Sequence, residues 1–233
     1  MSIIYLIPCT LAEDATATIP AYVMDAVKNC TVIFAEQERT ARRFLKSMDK
    51  QIVIDDFEWF AIHKVEEEVL NTFRQKIKEQ KNIAIISEAG CPGIADPGQL
   101  LIAAAQELNC TVKPLVGPSS ILLSLMASGM NGQQFDFVGY LPIDNGERIK
   151  KIKELEAASA KQNSTKIFIE TPYRNNQLME ALIKNCMPAT RLCVAINITA
   201  AEESIKTSSI AQWKIKKPEL HKLPAIFLLY AGK

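Results

Sequence analysis

The sequence predicts an α/β protein of two domains, each built on a largely parallel sheet. Short apolar runs typical of buried strands alternate along the chain with stretches of helical periodicity, which is the pattern of successive βα units. Two prolines bracket residues 114–118, and the composition shifts after them, which indicates a domain boundary. Since 233 residues suit two small domains, we place these at 1–116 and 117–233.

In the first domain, each predicted strand is an apolar run that ends at polar or small residues. These runs predict strands at 3–7, 31–35, 51–54, 83–87 and 111–115. Helical spacing predicts helices at 20–28, in a basic stretch that ends at Lys46, at 65–79 and at 99–108. Pro20 suits the first turn of its helix, and the many charges at 65–79 indicate a solvated face.

The second domain shows the same alternation. Apolar runs predict strands at 135–140, 167–169, 192–198 and 225–230. Helices are predicted at 121–127, 147–161 and 177–184, with a short helix or turn at 210–213. Ser119 and Ser120 can cap the helix at 121–127, because a serine hydroxyl accepts from free N–H groups at a helix start.

Composition narrows the class of protein. A formal net charge of +1 argues against a general nucleic-acid coat or a polybasic membrane binder, and no apolar run is long enough to cross a bilayer.

The six cysteines are scattered, with no Cys-x-x-Cys pair and no neighbouring histidine. We therefore expect no metal site and no disulfide framework, but free thiols in a reducing cytoplasm.

Three common catalytic signatures are absent. There is no Walker A phosphate loop, no G-x-G-x-x-G after the first strand and no G-x-S-x-G elbow. These absences disfavour a phosphate-loop ATPase, a dinucleotide dehydrogenase and an α/β-hydrolase. His63 and His221 lie far apart in the sequence, and isolated histidines are more often structural or exposed than catalytic.

The stretch 83–98 has the strongest features of a ligand site. An apolar strand changes abruptly to small residues, a carboxylate and glycines just before a helix, which is where open α/β sheets bind ligands. Gly90 and Gly93 permit positive φ or close approach of the backbone to a ligand. Asp96 can cap the next helix, and the structural alternative is a tight connection in which Asp96 does only that.

Other predicted strands also have small residues at or next to one end, at 8–10, 117–120, 170–173, 195–198 and 224–225. If these ends converge, they form a mostly apolar cleft between the two halves, with a few backbone donors and two or three carboxylates. Such a cleft suits a compact, uncharged or cationic cofactor better than a triphosphate.

Four motifs, SEAGCPGIADPG, LVGPSS, FVGYLP and IETPYR, occur in this order and at spacings that resemble the tetrapyrrole-methylase superfamily. Within it, the chain is most similar to the ribosomal RNA small subunit methyltransferase I family. The resemblance implies a two-domain methyltransferase of the class III fold that binds S-adenosylmethionine in the cleft between its domains. It also implies a homodimer, and ribosomal RNA or the small ribosomal subunit as the partner.

Carried over residue by residue, the resemblance implies a cofactor site and an acceptor side. The residues implied to wrap the cofactor are Ser87, Glu88, Ala89, Gly90, Cys91 and Pro92, with Pro8 and Asp96 beside them. Those implied to meet its methionine or ribose part are Ser119, Ser120 and Ile121, and those on its adenine side are Pro172, Tyr173, Ala195, Ile196, Pro224 and Ala225. Arg39 and Arg174 are implied to bind the acceptor.

Glu36 is the candidate catalytic base, since a carboxylate beside a ribose hydroxyl can remove its proton. The structural alternative is an ion pair between Glu36 and Arg39. For RNA, a basic rim is also needed, for which Arg42, Arg43, Lys46 and Lys64 are candidates.

The chain departs from the family on the acceptor side. A His-x-His-Asn-Glu motif has become residues 63–67, HKVEE, and Arg-Glu-Leu-Thr-Lys has become residues 196–200, INITA. The pair Pro224-Ala225 matches tetrapyrrole methylases rather than the RNA enzymes. We therefore expect an S-adenosylmethionine-dependent methyltransferase similar to the ribosomal RNA 2'-O-methyltransferases, with two alternatives: the same fold acting on a tetrapyrrole or other small molecule, and a non-catalytic cofactor-binding protein.

Overall fold

The computed structural model describes residues 2–62 and 67–232. The chain divides between Ser119 and Ser120 into two compact units. Among the described residues, no helix combines the length and apolar character needed to span a bilayer.

The first unit is a parallel five-stranded sheet with helices on both faces. Its strands are β1 Ile3–Ile7, β2 Val32–Ala35, β3 Glu58–Ala61, β4 Ile83–Ile86 and β5 Thr111–Pro114, in the order β3-β2-β4-β1-β5. Its helices are α1 Tyr22–Lys28, α2 Glu38–Met48, α3 Glu67–Lys78 and α4 Gly98–Glu107. All four residues of β4 are buried, because one core cluster packs on each face of the sheet.

The predicted third strand at 51–54 is wrong. Residues Ile54–Asp56 form a short 3-10 helix, and the strand that pairs with β2 is Glu58–Ala61. The apolar run at 51–54 does not reach the sheet. The indole of Trp59 instead donates to the carbonyl of Ile54 across 3.0 Å, which folds this turn back on the edge strand.

The second unit is a mixed five-stranded sheet. Its strands are β6 Phe135–Tyr140, β7 Thr165–Ile169, β8 Arg191–Ile196, β9 Ser204–Ser209 and β10 Ala225–Tyr230, in the order β6-β7-β10-β8-β9. Its helices are α5 Ser120–Ser128, α6 Asn145–Gln162, α7 Asn175–Asn185 and α8 Ile210–Ile215. A buried cluster joins the helices to the sheet, with the rings of Phe168 and Phe227 stacked 6.0 Å apart.

The prediction of a largely parallel sheet is correct for the first unit and wrong for the second. Only β6 and β7 pair in parallel, and the three other pairings are antiparallel. The strand β9 was not predicted, because its sequence, SIKTSS, has few apolar residues. Residues 197–203, which join β8 to β9, are too few for the crossover of a dozen or more residues that parallel strands need.

The long helix α6 begins with a side-chain cap. The Asp144 carboxylate accepts from the backbone N–H of Glu147 across 2.9 Å. We expect Asp144→Ala to lower the free energy of unfolding by about 1 kcal/mol, because an N–H at the helix start loses its acceptor. Asp144→Asn keeps an acceptor and serves as the matched control. Urea denaturation of the three proteins measures the difference, and equal stabilities for Ala and Asn would contradict the role of the cap.

Candidate functional site

The loops after the two central strands of the first sheet are joined by their backbones. The N–H of Cys9 donates to the carbonyl of Gly90 across 2.8 Å, and the N–H of Gly90 donates back to the carbonyl of Cys9 across 3.2 Å. Since β1 and β4 are parallel neighbours, both loops leave from the same edge of the sheet. This is the edge at which parallel α/β sheets bind ligands.

Gly90 and Gly117 allow the loop after β5 to pack against the loops after β1 and β4. Gly90 has φ of +72°, a conformation that favours glycine. At Gly117, which follows β5, an added Cβ would lie 2.1 Å from the Cβ of Pro8, so only glycine fits against that proline. The thiol of Cys91 lies 3.5 Å from the carbonyl oxygen of Pro118. The loops after β1, β4 and β5 therefore form one packed cluster.

Within this cluster, Ser87 faces the protein rather than solvent. It is buried, and its hydroxyl lies 3.4 Å from the carbonyl of Ala89 and 3.3 Å from that of Gly90. Glu88 and Ala89 are exposed. Ser87 therefore shapes the turn, and residues 88–89 form its accessible surface.

Glu36 supports the same turn from the neighbouring strand. Its carboxylate accepts from the N–H of Glu88 across 2.8 Å, and its own N–H donates to the carbonyl of Ile86 across 2.9 Å. The alternative of a Glu36–Arg39 ion pair is wrong, since Arg39 makes no ion pair or hydrogen bond with any residue in the described ranges. Glu36 is thus within the loop cluster, with one carboxylate oxygen engaged.

Asp96 organises the second half of the loop. Its carboxylate accepts from Gly98, the first residue of α4, across 2.8 Å, and from Gly93 across 3.0 and 3.1 Å. The prediction that Asp96 accepts from a free N–H at the helix start is confirmed. Partial burial raises the pKa of this carboxyl, while the two backbone donors act in the opposite direction.

The cysteines of the cluster are not nucleophiles at neutral pH. Burial, with a further contribution from the charge of Glu36, raises the pKa of Cys9 to about 12. Burial also raises the pKa of Cys91. Both thiols therefore stay protonated, and the thiol is far less reactive than the thiolate. All six cysteines of the chain are free.

An open cavity of about 830 Å³ lies at the start of α2. It is lined by Gln37, Glu38, Arg39, Arg42 and Ala61. Arg42 pairs with Glu38 at 3.1 Å and lies over the ring of Trp59 at 4.8 Å, whereas Arg39 has no such partner. The acceptor-side motif predicted at 63–67, including Lys64, lies outside the described residues except for Glu67 at the start of α3.

In the second unit, antiparallel pairing brings the adenine-side candidates together. Because β10 runs against β7 and β8, it begins at the edge where they end. Ala225 lies opposite Ile196, and the carbonyl of Pro224 accepts from Asn197 across 3.1 Å. Ala195 and Ile196 are buried, so they shape this edge rather than present side chains to solvent.

The loop after β7 lies at the same edge. The carbonyl of Pro172 accepts from the N–H of Lys222 across 3.1 Å, which ties this loop to the one before β10. Tyr173 is 69% exposed, and its ring meets that of His221 edge-on at 6.2 Å. The contact of His221 with Tyr173 was not predictable from the sequence, because it depends on the tertiary fold and no motif marks it.

A tight ion pair anchors this loop. The Oε1 atom of Glu170 accepts from Thr171 N at 2.6 Å and from Arg174 Nε and Nη2 at 3.0 and 2.6 Å. The hydrogen bond that Arg174 donates to Glu170 raises the pKa of Arg174. Glu170 is buried, and its Oε2 atom has no hydrogen-bond partner in the part of the chain that the structure describes. Arg174 thus holds the turn through Glu170 in addition to its predicted role in acceptor binding.

The candidates for contact with the methionine or ribose part of the cofactor lie where the chain divides into its two units. Ser119 is the last residue of the first unit, while Ser120 and Ile121 begin α5 of the second; all three are partly buried. Over residues 2–62 and 67–232, no three His, Cys, Asp or Glu side chains are grouped to hold a metal ion.

The family model of the tetrapyrrole (corrin/porphyrin) methylases matches residues 14–213. A ribosomal RNA small subunit methyltransferase I from Bacillus subtilis is 30% identical over 182 residues, which cover 78% of this chain and 59% of that protein. Its namesake from Escherichia coli O157:H7 is 26% identical over 233 residues, covering 98% of this chain and 77% of the relative. The namesake from Mesorhizobium japonicum is matched over only 43% of its length. The matches thus span between 43% and 77% of the length of these three curated relatives.

Solved structures show the same fold at low sequence identity. The methyltransferase CobJ superposes with a TM-score of 0.65 at 17% identity, over 98% of this chain and 93% of its own. A uroporphyrin-III C-methyltransferase from Thermus thermophilus, complexed with S-adenosylhomocysteine, gives a TM-score of 0.59 at 12% identity, over 99% and 97%.

The contact between Gly117 and Pro8 gives a test of the loop cluster. We expect Gly117→Ala to lower the free energy of unfolding by about 1–3 kcal/mol, because the added methyl overpacks against the proline. Gly132→Ala is the matched control, since an added Cβ there meets nothing within 4 Å and its φ is not positive. Thermal unfolding compares the two variants. Equal losses in both would show that the loops do not pack as described.

The raised pKa of Asp96 gives a pH dependence with a definite sign. The folded protein binds this proton more tightly than the unfolded chain, so Asp96 becomes less destabilising as the pH falls from its raised folded pKa towards the ordinary value of 3.8. Asp96→Asn removes the titration. We expect the stability of the native protein relative to Asp96→Asn to rise between pH 7 and pH 4 in urea denaturation. A relative stability that falls over this range would contradict the burial of the carboxylate.

Proposed function

This chain belongs to the tetrapyrrole (corrin/porphyrin) methylase family, and from that membership we propose that it is a methyltransferase whose methyl donor is S-adenosylmethionine. The observation that carries the proposal is the loop cluster of the first sheet. There, Cys9 and Gly90 are joined backbone to backbone and Gly117 lies against Pro8. Side chains are excluded at these contacts, which leaves backbone groups and small residues to face a ligand.

The residues of this cluster fit a compact sulfonium cofactor. Ser87 and Cys91 are turned inward, so the accessible surface consists of the backbone at 88–89 and the Glu88 carboxylate. Hydrogen-bonding backbone groups suit the polar parts of the cofactor, and a nearby carboxylate suits its positive charge. The second unit, taken by itself, has an apolar edge at Pro172, Pro224 and Ala225, backed by the buried Ala195 and Ile196, and the family resemblance assigns this edge to the adenine ring.

The task of the protein in such a reaction is alignment. The cofactor supplies a methyl group on a positively charged sulfur; the acceptor atom forms a bond to the methyl carbon as the carbon–sulfur bond breaks and its electrons return to sulfur. Holding acceptor and methyl in line contributes about 7–11 kcal/mol in favourable cases. The contacts of Gly90 with Cys9 and of Gly117 with Pro8 provide a rigid wall for this purpose.

We propose a ribose 2'-hydroxyl of small-subunit ribosomal RNA as the acceptor, in line with the names of the curated relatives. The cavity at the start of α2 supports RNA, because Arg39 lacks a protein partner within the described residues and Arg42 lies beside it. An arginine at a cavity that forms no ion pair with the described residues, as is the case for Arg39, suits a phosphate group. Glu36 is the proposed base, with the carboxylate oxygen that does not hold Glu88 receiving the hydroxyl proton.

A tetrapyrrole or other small acceptor is the second candidate. It is favoured by the Pro224-Ala225 pair, whose alanine lies opposite Ile196, and by the uncharged residues at 196–200.

We also propose that the protein is a homodimer and that it lies in the cytoplasm. The homodimer rests on the family resemblance, and the six free thiols fit a reducing compartment.

Cofactor binding is the first test. Calorimetric titration with S-adenosylmethionine and S-adenosylhomocysteine should show saturable binding that Gly90→Val abolishes and Gly132→Val leaves intact. Valine at Gly90 both strains a φ of +72° and fills the space next to Leu11 and Pro118. Absence of binding to both compounds by the native protein would overturn the proposal.

Methyl transfer to unmethylated small ribosomal subunits is the second test, and two variants of Glu36 separate its roles. Glu36→Gln keeps an acceptor for the N–H of Glu88, so we expect unchanged cofactor affinity with turnover lowered about 10²–10⁴-fold by loss of the base. Glu36→Ala should also weaken cofactor binding, because the turn loses its support. Full turnover by Glu36→Gln would leave Glu36 as a positioning residue only.

A further inference from the structure

A cavity between α6 and α7 is lined by a buried arginine that forms no ion pair with an acidic side chain of the described residues. Arg148 is 6% exposed, and its Nη1 and Nη2 atoms donate to Ile143 O at 3.1 Å and to Asn145 Oδ1 at 3.0 Å. Its Nε atom is buried and donates to no atom of residues 2–62 or 67–232. Of the five N–H groups of a guanidinium, two are thus satisfied by described residues, and both acceptors are neutral.

A buried cation without a counter-charge is costly, because neutral acceptors do not replace the lost hydration of the charge. Glu180, the acidic residue that lines the cavity, does not neutralise the charge of Arg148. Its carboxylate pairs with Lys217 at 3.0 Å, and the pKa of Glu180 is lowered first by that lysine and then by the charge of Lys184. Lys184 also lines the cavity, which therefore has a surplus of positive charge.

The size and lining of the cavity define what it can take. Its volume is about 330 Å³, at the small end for ligand pockets. Besides the two cations, it presents the amide side chains of Asn145, Gln177 and Asn185. The start of α6 adds little to this positive charge, because the Asp144 carboxylate caps it and Glu147 lies in its first turn, so the attraction for an anion rests on Arg148 and Lys184. The cavity shares no residue with the candidate methyl-transfer site.

We propose that this cavity binds a phosphate group, either as inorganic phosphate or as the monoester of a small polyol. Arg148 is its principal ligand, Lys184 adds a second charge, and the amides suit the hydroxyl groups of a polyol. A guanidinium matches the oxygens of a tetrahedral oxyanion and gives hydrogen bonds stronger than those between neutral groups.

The test uses the full chain at low ionic strength. Calorimetry and thermal unfolding with inorganic phosphate should show saturable binding and a rise in Tm, whereas chloride at matched ionic strength should produce neither. Ribose 5-phosphate distinguishes the two sources: tighter binding than inorganic phosphate indicates a carried phosphate, and equal or weaker binding indicates the free ion. A native protein that responds to phosphate no more than to chloride would overturn the proposal.

Three variants locate the site. Lys184→Met should weaken phosphate binding about tenfold, which corresponds to the loss of one charge-assisted contact. Lys150→Met removes the same charge from an exposed position on α6 outside the cavity and should leave the affinity unchanged. Equal losses in the two lysine variants would indicate diffuse attraction and overturn the assignment.

Arg148→Met should abolish the response to phosphate. Its Tm in phosphate-free buffer should equal or exceed that of the native protein, because an unpaired buried charge has been removed. A lower Tm together with an undiminished response to phosphate would mean that Arg148 only supports the turn at Ile143. If this variant does not fold, the comparison of Lys184→Met with Lys150→Met decides the question.

Discussion

The backbone pairing of Cys9 with Gly90 is the constraint on which the candidate site of the first unit depends. Parallel strands leave their carboxyl ends side by side, but the loops that follow them are free to diverge unless something joins them. Two hydrogen bonds between these residues join the loops after β1 and β4, and the φ of +72° at Gly90 turns the chain at that point. The close packing of Gly117 on Pro8 and the support of Glu36 for Glu88 both build on this arrangement.

The second unit reaches a comparable arrangement by a different route. Its sheet is mixed, so the start of β10 lies between the ends of β7 and β8. Hydrogen bonds from Lys222 to Pro172 and from Asn197 to Pro224 then hold three segments at one edge. In the first unit the alignment comes from parallel strands, whereas here it comes from reversing one strand. Both routes place small residues and prolines at the edge of a sheet, where backbone groups become available to a ligand.

Strands buried on both faces of a sheet were predictable from the sequence. The edge strands divide: β5 and β6 coincide with predicted strands, whereas β3 and β9 do not. The strands β1 and β4 are continuous apolar runs, and such runs identified them. The edge strand β3, Glu58–Ala61, begins with a charge and is only partly buried, so the more apolar run at 51–54 was preferred in error. An apolar run in the sequence indicates a buried segment. An edge strand pairs through backbone hydrogen bonds, which do not require apolar side chains.

The features of the candidate site can likewise be separated into those that the sequence predicted and those that it did not. Glycines and prolines mark their loops in the sequence because few other residues adopt those turns, and the loop at 87–92 was found on that basis. Contacts between distant side chains leave no such mark. The bond from Glu88 to Glu36, the ring contact of Tyr173 with His221 and the buried Arg148 all depend on how separate elements pack.

The strand β9 has a consequence for aggregation. It forms an outer edge of the second sheet, and an exposed edge is a template on which another chain can add a strand. Its sequence, SIKTSS, carries a lysine and four hydroxyl side chains, and Lys206 extends over the ring of Trp213 at 5.7 Å. Such polar side chains and a charge discourage the growth of intermolecular sheets. The composition that concealed this strand in the sequence is therefore what protects the edge from fibril-like association.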